Sequence, residues 1–443
     1  MLISRYKLCL YIFLTAFWLA AAWGFVADEL IPPLHNFDTV RYLIVDGLLA
    51  VLGLACLRNR FDITVIGSFL LLSFFSSFVF NHVGLAIYFN GFRDFVGLLF
   101  VLPVLRYFFT SNNAADFKRT FDRNLLIWLW LQAFCVTWQF IRYGAGDMGG
   151  GTYGEGGSGM VSMMIYVVSF YLIAPRWDSS KYWQSLRENK WYIILLYPTF
   201  LNETKVSFIL ILAYFVLLIK FDRNLILRLT YIVPLGLIVL GGLFVAYVNV
   251  TDQNADEFFE LETYQEYLYG LDLDELVDIA YKVQDGYYNM DEVGIWEQDI
   301  PRFAKIALSI PILAAEKGGI LFGSGIGQFK GWTTGLCTTF SVDNRWLLIG
   351  SRPELFVIFV QLGLLGLLWL VWLLMKINFG GRTSYPLGMQ IRLLIALCFV
   401  LIMIYNDSLR EIIICSILFY ILMAIKTVFP QIASDRCDNQ LDM

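Results

Sequence analysis

Four basic residues stand out because each sits where an apolar run begins or ends: Arg93, Lys205, Arg352 and Arg410. Each has an acid close by in the chain, in Arg93-Asp94, Glu203-Thr-Lys205, Arg352-Pro-Glu354 and Asp407-Ser-Leu-Arg410-Glu411. Guanidinium groups bind phosphate bidentately and a lysine adds a point charge, so the four together would suit an anion such as a diphosphate. Asp94, Glu203, Glu354, Asp407 and Glu411 are the candidates for acid–base work. Activating a hydroxyl for attack needs a base within hydrogen-bond reach. Glu354 is favoured because it neighbours Arg352 at the start of an apolar run. The competing reading is that these charges snorkel to an interface or pair locally, Arg93 with Asp94 and Arg352 with Glu354.

The elements that must position these groups are membrane spans. The chain has 443 residues, 58% apolar and only 16% charged, where a soluble domain is about a quarter charged. Apolar runs lie near 8–27, 42–57, 63–80, 92–110, 124–141, 158–175, 188–202, 204–220, 225–248, 347–375, 388–405 and 411–427. Most are long enough to cross a bilayer, so the expected fold is an all-α polytopic bundle of about twelve spans. With the N-terminus inside, 20 of the 32 Lys and Arg fall on inside segments and 12 outside, six of those 12 in one long loop. Long loops barely count in the positive-inside rule. The expected order is a membrane bundle at 1–248, an extracytoplasmic loop at 249–346, three membrane helices at 347–427 and a cytoplasmic tail at 428–443. Arg93, Lys205, Arg352 and Arg410 then share the outer side, and ionisable groups at the membrane are costly and usually functional.

Other features exclude more than they suggest. No basic stripe supports nucleic-acid binding. Seven cysteines without a CxxC, and two histidines, make a zinc site or a disulfide framework unexpected. No metal or organic cofactor is expected. The run Gly323-Ser-Gly325-Ile-Gly327 lacks the Lys-Ser/Thr and the βαβ context of a phosphate loop, and reads as a tight turn near the membrane. The acids between Asp252 and Asp299 read as a solvated helical face. The glycine-rich loop at 142–157 is expected to be mobile. Asp46, about a turn into the second span, is the one deep acid that suits a proton-coupled carrier.

The arrangement resembles the O-antigen polymerase (Wzy) and O-antigen ligase families of bacterial envelope glycan assembly. The likeness covers the span layout and large outer loop. It rests locally on Leu321-Phe-Gly-Ser-Gly-Ile-Gly-Gln-Phe329, on Ser351-Arg352-Pro353-Glu354-Leu355 followed by Gln361-Leu-Gly363-Leu-Leu-Gly366, and on Glu203-Thr204-Lys205. Family ligases carry a histidine where this chain has Ser351-Arg352, which favours the polymerase. The resemblance implies inverting, metal-independent glycosyl transfer in a bacterial cytoplasmic membrane. Donor and acceptor would both be glycans on undecaprenyl diphosphate, with a chain-length regulator as a further partner. Arg93, Lys205, Arg352 and Arg410 would hold the diphosphates, and Tyr264, Tyr267, Trp296 and Trp332 would stack on sugars, with burial or seating at the membrane interface as the competing reading of these aromatics. A ligase is the nearest alternative, a lipid-linked oligosaccharide transporter the next, and a membrane scaffold the third.

Overall fold

The computed structural model describes residues 4–144, 149–154, 156–202, 205–219, 302–328, 352–383 and 385–427, with positions 234, 338, 340, 343, 344 and 347 between them. Of Lys205 it describes the backbone only. The expected ninth span at 225–248, the acidic stretch 252–299, Trp332, Glu203 and the tail 428–443 lie outside the described residues.

All the regular structure among the described residues is helical. Eight helical stretches are long and apolar enough to cross a membrane: Arg5–Leu30, Pro32–Cys56, Arg60–Phe80, Leu85–Thr110, Ala114–Tyr143, Ser158–Arg176, Glu354–Phe379 and Gly388–Tyr405. Helices satisfy every backbone group within the segment, which lipid demands. Within these stretches lie α1 (Arg5–Phe25), α2 (Asp38–Cys56), α3 (Arg60–Phe74), α4 (Leu85–Phe92), α5 (Val96–Thr110), α6 (Ala114–Tyr143) and α7 (Ser158–Ile173). Short helices α8 (Tyr182–Glu188), α9 (Lys190–Ile194) and α10 (Pro198–Leu201) precede α11 (Lys205–Leu217). Then come α12 (Arg302–Ala315), α13 (Gly319–Phe322), α14 (Glu354–Phe379), α15 (Gly388–Tyr405) and α16 (Ile412–Ala424). Helices α5, α7 and α16 are buried on nearly every face, as expected of helices that are apolar all round.

Two sequence expectations need correction. The run 188–202 is no single span but the pieces α9 and α10, joined by turns. The Asn189 side chain donates to Ser185 O at 2.9 Å, and Pro198 has no N–H to continue a helix. The fourth span starts at Leu85, not near 92, so Arg93 and Asp94 sit inside a continuous helical stretch, on a 3-10 turn between α4 and α5. The glycine-rich loop also differs from expectation where it is described. Gln139 and Gln132, buried on α6, clamp Gly151 and Thr152: Gly151 N donates to Gln139 Oε1 at 2.7 Å and Thr152 N to Gln132 Oε1 at 3.0 Å. Buried amides need such partners, so residues 150–154 are packed against α1 and α6.

Helix α14 is broken. Gly363 adopts φ 65° and ψ −164° inside it, a region open essentially to glycine alone. The break strands carbonyls of the preceding turn. Ser324 N donates to Val360 O at 2.8 Å and Gly325 N to Gln361 O at 3.1 Å, while Ser76 Oγ donates to Gln361 O at 2.9 Å. The glycine run thus stands in for the missing helical turn. It is held from the other side by α3, whose last turn widens to π geometry over Phe75–Phe80: Asn81 Nδ2 donates to Gly323 O at 2.8 Å, and Ile326 N to Ser77 Oγ at 2.9 Å. A Cβ at Gly91 would run into Gly327 Cα. Gly91→Ala is therefore expected to cost about 1–3 kcal/mol by overpacking, read as a lowered unfolding temperature of the purified protein. An unchanged melt would mean that the loop does not sit against α4.

Candidate functional site

The charged cluster lies where α14 begins and where α15 turns into α16. Pro353 is extended, with φ −68° and ψ 145°, and starts the helix at Glu354. Glu354 N donates to Asn406 O at 2.8 Å, tying α14 to the end of α15. Arg410 sits on the 3-10 turn Ser408–Arg410. This turn lies directly on α5, because Gly97 has no side chain: a Cβ there would press on Arg410 O.

Those two constraints bring together groups far apart in the chain. Arg410 Nε donates to Glu354 Oε1 at 2.7 Å, and its two terminal nitrogens lie 3.5 Å from Asp94 Oδ2 and 3.8 Å from Asp407 Oδ2. Glu354 is fully buried, and Arg410 is nearly so. Arg352 reaches Asp407 at 3.5 Å with its side chain 40% exposed. Burial alone would push the Arg410 guanidinium down, but the Glu354, Asp94 and Asp407 carboxylates push it up and win, so it stays charged. Glu354 Oε2 is buried and has no hydrogen-bond partner. One oxygen of this carboxylate is therefore fixed and the other is left to accept.

The predicted residues sort themselves differently from a ring of open cations. Glu354, Arg352 and Arg410 do converge, with Asp94 and Asp407 among them. Arg410, however, is enclosed by three carboxylates, so its guanidinium is occupied by protein rather than offered to a phosphate. Arg93 turns toward α2, where its Nε lies 3.3 Å from Asp46 Oδ2. That pairing accounts for the deep acid Asp46. The Lys205 side chain and Glu203 lie outside the described residues. Glu411 stands at the N-cap of α16.

Arg302, counted from sequence as one more loop charge, belongs to this end of the bundle. It is buried at the start of α12, donates from Nε to Tyr405 O at 2.9 Å, and lies over the Tyr405 ring at 4.4 Å. Lys305, one turn on, is wholly buried as well. The signal was present in the sequence: Arg302 and Lys305 fall three apart in an otherwise apolar helix, and so share a face.

At the opposite end of the bundle a second polar hub is fully engaged. Asp122 Oδ1 accepts from Tyr171 at 2.8 Å and Tyr420 at 2.6 Å, and Oδ2 meets Lys118 at 2.5 Å. No group of three or more His, Cys, Asp or Glu with the geometry of a metal site occurs among the described residues.

Apolar helices of spanning length, packed around ionised groups that are buried and paired, define a polytopic α-helical membrane protein. Comparison with protein-family models, with characterised proteins and with solved structures finds no match.

Proposed function

We propose that the chain is a glycan polymerase of a bacterial cytoplasmic membrane, joining undecaprenyl-diphosphate-linked repeat units on the outer face, with both termini in the cytoplasm. The observation that carries this reading is the Glu354 carboxylate: wholly buried, fixed by Arg410 through one oxygen, with the other oxygen unpartnered. Such a group suits a general base for a sugar hydroxyl. Glu354 accepts the proton as the hydroxyl oxygen attacks the anomeric carbon of the donor. The bond from that carbon to the diphosphate breaks, and the lipid diphosphate leaves with the electron pair. Arg352, 40% exposed beside Asp407, meets the negative charge that develops on the departing diphosphate. Arg410 is a positioning residue that orients Glu354. The sequence motifs that resemble those of the polymerase and ligase families point the same way, and the Ser351-Arg352 departure from the ligases favours the polymerase.

Arg352→Ala is expected to slow chain growth roughly 10–100-fold, the worth of a hydrogen bond to a charged group. The readout is a surface-polysaccharide ladder from a deletion strain carrying wild type or the variant. A ladder collapsed toward one repeat unit and restored only by wild type supports the polymerase. Loss of all attached glycan, with long chains still on the lipid carrier, indicates a ligase. An unchanged ladder rejects the glycan reading.

A transporter of lipid-linked oligosaccharide is the second reading, favoured by the break at Gly363 within a span and by the ion pair Asp46–Arg93 between helices. In that case deletion strands repeat units on the cytoplasmic leaflet, out of reach of a glycosidase added from outside.

A further inference from the structure

At the N-terminal turns of α2 a second cationic group is assembled that the glycan site does not use. The Arg41 guanidinium lies 3.8 Å from the centroid of the Tyr42 ring and 5.6 Å from that of Trp23. The Arg93 guanidinium lies over the same Tyr42 ring at 5.2 Å. One aromatic ring therefore holds two guanidiniums near each other, although like charges repel. The acids around them are already engaged, one of them by Arg93 itself, which leaves Arg41 as the cation without a carboxylate among the described residues. Asp46 pairs with Arg93 at 3.3 Å, whereas Asp38 accepts from Trp23 Nε1 at 2.5 Å and meets His35 at 3.2 Å. Arg41 Nε is buried with no hydrogen-bond partner, but the residue as a whole is only partly buried, so its terminal N–H groups are the ones an anion could reach.

The surroundings specify what kind of anion. On α2 the neighbours Val40, Leu43 and Ile44 are exposed, as are Leu85 and Phe89 on α4. In a membrane such faces meet acyl or isoprenoid chains. A phosphate approaching Arg41 would thus arrive with its hydrocarbon tail already lying along α2 and α4. Aromatic faces fix guanidinium planes in place, so that their outer N–H groups are pre-set for a phosphate fork.

We propose that Arg41, Tyr42 and Arg93 form a binding site for the phosphate or diphosphate headgroup of a membrane lipid, entered sideways from the bilayer. The site is separate from the Glu354–Arg410 cluster. The two are joined through Arg93-Asp94, where Arg93 serves one and Asp94 the other. It stands whether or not the polymerase reading does, because it concerns binding alone.

The test is native mass spectrometry of the full-length protein, delipidated in detergent and titrated separately with undecaprenyl diphosphate, phosphatidylglycerol and inorganic pyrophosphate. Arg41→Gln is compared with wild type, with Arg142→Gln as a control that removes a cation from the same end, where Arg142 pairs with Glu29. Thermal unfolding of each variant checks that the fold is kept, and Arg41→Lys is the substitute should the glutamine variant fail to fold. Lipid binding is expected to weaken about tenfold or more in either Arg41 variant and to be unchanged in the control. A loss confined to undecaprenyl diphosphate assigns the site to an isoprenoid carrier. An equal loss for both lipids assigns it to anionic headgroups in general, and retained binding of pyrophosphate alone to wild type assigns it to a free anion. Equal binding of every probe by wild type and the Arg41 variants overturns the proposal.

Discussion

Arg410→Ala is expected to destabilise the protein by about 3–5 kcal/mol, the cost of stripping one partner from a buried ion pair. The loss falls on Glu354, which is fully buried and receives its one hydrogen bond from Arg410 at 2.7 Å. Asp94 and Asp407 lose a neighbour too, but their side chains keep 17% and 35% exposure, so solvent compensates them in part. Thermal unfolding in detergent measures the effect. The discriminating comparison is the double variant Arg410→Met with Glu354→Leu, because an apolar pair of similar volume often replaces a buried ion pair at little cost. Recovery of most of the stability in the double variant, without recovery of activity, would separate the structural role of the pair from its chemistry. A single variant that melts like wild type would mean that Arg410 does not hold Glu354 in place.

The second large effect is on rate. Glu354→Gln preserves shape and still offers an oxygen to Arg410 Nε, so the fold is expected to survive. The side chain can no longer take a proton, and removing a general base costs about 10²–10⁴-fold. Polymer growth on a purified lipid-linked repeat unit, measured alongside the melt, reads both properties at once. A folded Glu354→Gln protein that still extends chains at the wild-type rate would remove Glu354 as the base. The polymerase reading would survive that result, with Asp94 or Asp407 as the acids left in the cluster.

The helical character of the chain was legible because spans must be apolar over about 20 residues, and most of its apolar runs approach that length. Where the reading slipped, averaged hydropathy hid local chemistry. Asn189 and Pro198 cut the run 188–202 into pieces, and the polar Asn90 and Gly91 concealed that the fourth span begins at Leu85. At the site, residue types were legible and partners were not. Glu354 and Arg410 could each be singled out as charges beside apolar runs. Their contact depends on Gly97 admitting the 408–410 turn onto α5, which no periodicity records. A shared anion site was the expectation and local pairing the competing reading, yet Arg93 meets Asp46 and Arg410 meets Glu354, each across a helix interface. The glycine run is a tight turn, as its composition implies, with Gly323, Gly325 and Gly327 all at positive φ. Its role in completing a helix was hidden, because Gly363 looks like any other glycine in an apolar stretch.

That completed helix has a consequence for how the chain is made. The donors that close the break belong to Ser76, Ser324 and Gly325, and the carbonyls they serve belong to Val360 and Gln361. Every donor therefore leaves the ribosome before its acceptor. The bent segment enters the membrane with its partners already synthesised, so its exposed carbonyls can be covered on arrival rather than waiting in lipid. Had the glycine run followed the helix, the same fold would have required an unfinished span to persist in the bilayer until later residues reached it.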